Sequence, residues 1–119
     1  MSAPTLLPPP RDLTGQLDTA ALHLQNAQAE HAGAVVAQVE AKRALELARA
    51  RLICQGVEGK NEAQREAVMR LELQTEHDAL FQAEVALTEA RCTLDRARLE
   101  WDLARYTVRA LENTRGGAA

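Results

Sequence analysis

Residues 73–111 decide the fold, and divided into sevens they read LQTEHDA LFQAEVA LTEARCT LDRARLE WDLARYT VRAL. The first place of every seven is apolar, and the fourth place is alanine in the central repeats. The first places are Leu73, Leu80, Leu87, Leu94, Trp101 and Val108, and the fourth places are Glu76, Ala83, Ala90, Ala97, Ala104 and Leu111. This spacing is typical of a long helix that packs along one face against another helix.

An earlier stretch of the chain repeats the pattern. Its first places are Leu17, Leu24, His31, Gln38, Leu45 and Leu52, and its fourth places are Ala20, Ala27, Ala34, Ala41 and Ala48. In an antiparallel pair each leucine would face an alanine, so the two helices could approach closely. We therefore predict an all-α fold, an antiparallel two-helix coiled-coil hairpin that assembles into a four-helix dimer. We call the faces that would meet in the hairpin the seam.

Proline and glycine set the predicted boundaries. All four prolines lie within residues 1–11, which we predict to be a disordered arm. The hairpin is expected over residues 12–115, with helices at 12–55 and 61–113 and a turn at 56–61. Residues 116–119 form a frayed tail in this prediction. Asn61 is the predicted N-cap of the second helix, with Gln64 at the capping-box position.

The position of the turn suggests a register for the two helices. One attractive register pairs Leu24 with Ala90, Leu45 with Met69, and Gln38 with Glu76, which places two polar interruptions in one layer where they could satisfy each other. Leu17 then packs near Ala97, and residues 99–113 extend beyond the first helix.

A second apolar stripe follows the opposite face of the second helix. Its members are Leu71, Val85, Cys92, Leu99 and Tyr106, spaced by sevens and interrupted by Asp78. Because a hairpin buries one face per helix, this stripe should be exposed and marks a self-association surface. The predicted oligomer interface also includes Trp101 and Leu103, from the unpaired end of the helix. The alternative is that alanine-rich helices simply tolerate scattered exposed apolar residues.

Charge gives a second hypothesis about binding. The 14 basic and 17 acidic residues leave a net charge of −3, which makes no general case for a polyanion partner. Residues 42–70 nevertheless hold seven bases and four acids. The alternative interpretation is therefore a nucleic-acid or anion contact through Arg49, Arg51, Lys60, Arg65 and Arg70. The spacing around Lys60 is not that of a P-loop.

Several other kinds of site lack the residues they need. No catalytic set of cysteine or serine with histidine is recognisable, and we expect no cofactor. In the predicted register His23 approaches Cys92 without a third ligand, so we expect no metal site. Cys54 and Cys92 lie too far apart along the hairpin to form a disulfide. The sequence shows no signal peptide and no apolar run of the roughly 20 residues that span a bilayer, so we expect a cytoplasmic protein without membrane contact.

The turn sequence G-K-N-E-A-Q-R at residues 59–65, between two alanine-leucine helices, resembles that of small helical-hairpin accessory proteins of phages and prophages. The resemblance covers seven of the 119 residues together with the general helical pattern. It implies a small non-enzymatic accessory protein acting near DNA metabolism or genome defence, and it assigns no functional residue.

These patterns together predict a structural or adaptor protein that is not an enzyme. It would act through homo-oligomeric coiled-coil assembly, as a dimer, and through binding to a further macromolecule that the sequence does not identify. Nucleic-acid binding through the basic turn is the alternative function.

Overall fold

The computed structural model describes the backbone of residues 10–117 and the side chains of residues 13–114. It contains helix α1 from Pro10 to Gln55, helix α2 from Glu62 to Glu72 and helix α3 from Gln74 to Gly117, with no strand among the described residues. The predicted all-α class is therefore confirmed. The predicted arm and tail lie outside the described residues, except where their inner ends belong to α1 and α3.

The ends of α1 follow from its local sequence. The helix begins at Pro10, two residues before the predicted start. Proline is accepted in a first helical turn because the backbone N–H that it lacks would have no helical partner there. After Gln55 the chain leaves the helix through Gly56, whose φ of 87° is readily adopted only by glycine.

Helix α2 begins as its sequence predicts. The Asn61 side chain accepts a hydrogen bond from the Gln64 backbone N–H at 2.9 Å. The Gln64 side chain in turn accepts from the backbone N–H of Lys60, also at 2.9 Å. The pair thus forms a capping box displaced by one residue from the usual N-cap N–H. Gly59 allows the close approach, because a Cβ at this position would lie 2.9 Å from the Arg65 backbone nitrogen.

The predicted second helix is interrupted at Leu73, which corrects the expectation of one unbroken helix. Leu73 has φ −102° and ψ 20°, outside the helical range. The hydrogen bonding nevertheless continues, because Leu73 donates to the Met69 carbonyl and His77 donates to the Leu73 carbonyl, each at 2.9 Å. The interruption is therefore a local distortion of one residue between α2 and α3.

The chain divides into two compact units. The first comprises the residues up to Glu30 together with those from Arg91 onward. Its core is formed by Ala27, Leu94 and Ala97, with Leu24 packed against them. The beginning of α1 thus packs against the later part of α3 through the alternation of leucine and alanine in the heptads.

The second unit runs from His31 to Ala90. Its buried residues are Met69, Leu73 and Ala90, all at heptad positions assigned to the seam. The side chains of residues 61–68 are all exposed, so burial on α2 begins only at Met69. The first seven residues of α2 therefore contribute nothing to the buried seam.

The contacts within each unit differ from the predicted register. Leu24 packs against the core of Ala27, Leu94 and Ala97, whose α3 members lie after the predicted partner Ala90 in the sequence. In the second unit Met69 lines a groove together with Leu52 rather than Leu45. Both differences amount to about one heptad. The prediction placed the start of burial immediately after the turn, whereas no side chain of α2 is buried before Met69.

The predicted partnership of Gln38 and Glu76 is wrong for the same reason. Glu76 is half-buried at its seam position, and its Oε2 atom is buried without a hydrogen-bond partner among the described residues. A buried carboxylate oxygen that has lost its water without gaining a donor destabilises the folded state. Glu76 therefore lowers the free energy of unfolding relative to an apolar residue at the same seam position.

Replacing Glu76 with leucine is expected to raise the free energy of unfolding by about 1–2 kcal/mol, because the orphaned oxygen is removed and a seam position becomes apolar. Urea denaturation followed by circular dichroism measures the change. The matched control is Glu84→Leu on the exposed surface of the same helix, which should change stability by less than about 0.5 kcal/mol. A Glu76→Leu variant less stable than wild type would show that Glu76 has a partner.

Candidate functional site

The first unit exposes large apolar side chains on α3. Leu99 is 64% exposed, Leu103 67% and Tyr106 73%, and Cys92 is also exposed. The opposite face of the same helix carries Leu94 and Ala97 in the core. The structure therefore brings these four predicted interface residues together on a surface that their own chain leaves uncovered.

The second unit also exposes predicted interface residues. Leu71 at the end of α2 is 73% exposed, and Val85 on α3 is 38% exposed. Phe81, which is 62% exposed, was not predicted as an interface residue. The signal for it was a large aromatic side chain at a position outside the heptad seam.

Trp101 differs from the other predicted interface residues. It is half-buried within its own chain, and the Arg105 guanidinium lies 5.8 Å from the centre of its ring. The prediction that residues 99–113 extend beyond the first helix is wrong. His23 of α1 contacts Glu100 within this segment, and Trp101 is half-buried on the same face as Ala104, Val108 and Leu111.

The basic residues around the turn differ in their contacts. Arg49 on α1 forms an ion pair with Glu66 on α2, with Nη2 and Oε1 2.7 Å apart. Both side chains are about half exposed, so the pair contributes roughly 0–1 kcal/mol to stability. The pairing offsets the charge of Arg49. The other predicted contacts, Arg51, Lys60, Arg65 and Arg70, are exposed.

The start of α2 is only partly available to an anion. Free N–H groups in a first helical turn attract negative charge. Here the Asn61 side chain already accepts from Gln64, and the Asn61 carbonyl accepts from Arg65 at 3.1 Å. Glu62 adds a carboxylate to the same turn. These groups compete with any bound phosphate.

His23 lies beside Glu100 in the structure, not beside Cys92 as the predicted register has it. Its Nδ1 atom lies 3.0 Å from both carboxylate oxygens of Glu100, so the predicted approach to Cys92 is wrong. The register shift is the cause. Within the described residues no group of three or more potential ligands could hold a metal ion. Cys54 and Cys92 are both free thiols.

Comparison with family models, with curated proteins and with solved structures finds no match for this chain. The resemblance to phage helical-hairpin proteins therefore stays a prediction. Over the described part of the chain, no helix combines the length and apolar character needed to cross a membrane.

Proposed function

We propose that this chain is a non-enzymatic structural or adaptor protein, a helical hairpin that assembles into a four-helix dimer and presents its surface to another macromolecule. The observation that carries the proposal is the large exposed apolar surface on α3, at Leu99, Leu103 and Tyr106. Contiguous apolar surface of this kind marks an interface more often than a solvated face.

The contacts within each unit support the hairpin. In the first unit, the beginning of α1 packs against the later part of α3. In the second, Arg49 of α1 reaches Glu66 of α2 across the connection at residues 56–61. Each contact joins a segment of α1 to a segment that follows the connection at residues 56–61, as a hairpin requires. Small alanines at the seam, such as Ala20 and Ala27, permit close helix packing.

The apolar surface also explains why a dimer is the natural assembly. The buried residues described in the first unit are three alanines and one leucine, Ala20, Ala27, Ala97 and Leu94. Such a core buries little area, and burial of apolar area is the main stabilising contribution to folding. A second copy covering the exposed leucines would add the area that one chain lacks.

Light scattering coupled to size exclusion tests the proposal directly. At micromolar concentration we expect a mass of twice 13.0 kDa for the wild-type protein. A mass of 13.0 kDa at the highest attainable concentration would overturn the assembly. The measurement requires no knowledge of the further partner.

A gel-shift assay separates this proposal from the alternative function. Phosphate binding by basic side chains weakens steeply with salt. We therefore compare single-stranded and duplex DNA at low and moderate salt, and we expect no complex for either. A salt-sensitive complex that is lost in an Arg65→Ala, Arg70→Ala variant would instead favour nucleic-acid binding through the turn.

A further inference from the structure

Helix α3 presents two exposed apolar patches of different electrostatic character. In the first unit, Leu99, Leu103 and Tyr106 lie in a segment, residues 91–114, that holds five arginines and four carboxylates. Two of these carboxylates have basic partners, because Glu100 contacts His23 and Asp95 lies 3.9 Å from Arg98. With five arginines against four carboxylates, this segment is slightly basic.

The second unit contributes the other patch. Here Phe81 and Val85 are exposed in the segment of residues 74–90, which holds four carboxylates and no lysine or arginine. Three of the carboxylates, those of Asp78, Glu84 and Glu89, belong to exposed residues. This segment of α3 is therefore strongly acidic.

This difference in charge decides how two copies of α3 can lie together. A parallel arrangement would place the three exposed carboxylates beside the same three carboxylates of the second copy. An antiparallel arrangement instead places the acidic segment of each copy beside the basic segment of the other. Like charges brought together at an interface oppose binding, and complementary charges favour it. The charge layout thus favours the antiparallel arrangement.

The spacing of the stripe fits the same arrangement. Asp78, Val85, Cys92, Leu99 and Tyr106 are seven residues apart, and Cys92 is the central member. An antiparallel pair centred on Cys92 places Val85 opposite Leu99 of the second copy. It also places Asp78, the one polar interruption, opposite Tyr106 of the second copy, whose hydroxyl can donate a hydrogen bond to a carboxylate. A parallel pair would place Asp78 opposite Asp78.

We propose that the occupant of this surface is a second copy of the chain, docked antiparallel along α3 and centred on Cys92. The inference rests on the proposed function and specifies the orientation of its dimer. The two-fold axis passes near Cys92, so each copy contributes its acidic segment and its basic segment to the contact, and one surface serves both copies.

Cysteine crosslinking with a short bis-maleimide tests the orientation. In a background carrying Cys54→Ser and Cys92→Ser, one preparation carries Val85→Cys and another carries Leu99→Cys. After mixing and subunit exchange, we expect crosslinked dimers that contain one copy of each, identified by mass spectrometry. Neither preparation alone should crosslink above background. Crosslinking of either variant with itself would show a parallel pair and overturn the inference.

The native cysteines provide matched controls. A chain that keeps Cys92 and carries Cys54→Ser should crosslink efficiently, because the axis passes near Cys92. A chain that keeps Cys54 and carries Cys92→Ser should not crosslink, since Cys54 lies on α1 outside the proposed contact. Light scattering on the same samples separates the two proposals. Dimers without crosslinks through α3 overturn the docking surface alone, whereas monomers overturn the proposed assembly as well.

Discussion

A variant carrying Val85→Glu and Leu99→Glu is expected to be a monomer at concentrations where the wild-type protein is a dimer. In the antiparallel pair each new carboxylate would face another across the contact and would lose its water there. Removing a charge from water without an opposite partner costs several kcal/mol. Because about 1.4 kcal/mol changes an affinity tenfold, the dimer should weaken by roughly a thousandfold or more. Light scattering over a dilution series measures the effect.

Two further variants show whether the effect belongs to the apolar stripe. Ala86→Glu with Thr107→Glu adds the same charge at exposed positions one residue beyond Val85 and Tyr106. This variant should remain dimeric. The second variant, Val85→Glu with Leu99→Lys, places opposite charges across an antiparallel contact and should recover part of the lost affinity. If the double glutamate variant stays dimeric, the stripe is not the interface.

Replacing Leu94 with alanine is expected to lower the free energy of unfolding by about 2–4 kcal/mol, a large part of the stability of a small domain. Leu94 is 5% exposed and belongs to the core formed with Ala27 and Ala97. Its buried neighbours in this core, Ala27 and Ala97, are small, so they cannot fill the space that it would leave. Urea denaturation followed by circular dichroism measures the loss.

The matched control for Leu94 is Leu47→Ala. Leu47 lies on α1 and is 53% exposed, so its truncation should cost less than about 1 kcal/mol. All variants must be compared at one protein concentration, because self-association adds to the apparent stability. Equal losses for the two leucines would mean that the buried seam is not the main source of stability.

The sequence predicts which residues face inward better than it predicts which residues meet. The seven buried apolar residues of the described chain, Ala20, Ala27, Met69, Leu73, Ala90, Leu94 and Ala97, all occupy heptad positions assigned to the seam. Periodicity is a property of each helix by itself, so it can be read from the sequence. The register between two helices cannot be read in this way. A shift by one heptad exchanges one leucine-alanine layer for another of nearly equal energy.

Other features of the structure have no clear signal in the sequence. The distortion at Leu73 has no proline or glycine at or beside it. The exposure of residues 61–68 could not be predicted, because their sequence carries the same helical signals as the residues that follow. The surface stripe was more accessible to prediction, since its members repeat every seven residues on the face opposite the seam. The pairing of the segment around Trp101 was harder to predict, because it depends on the register.

The exposed heptad at the start of α2, residues 62–68, gives the chain a place where its length can change during evolution. A deletion of seven residues from this segment would keep every later residue on its present face, and no buried residue would be lost. A deletion of two residues would instead rotate the whole of α3 by more than half a turn and expose its alanines. Among descendants of this sequence, insertions and deletions near the turn should therefore survive mainly in whole heptads.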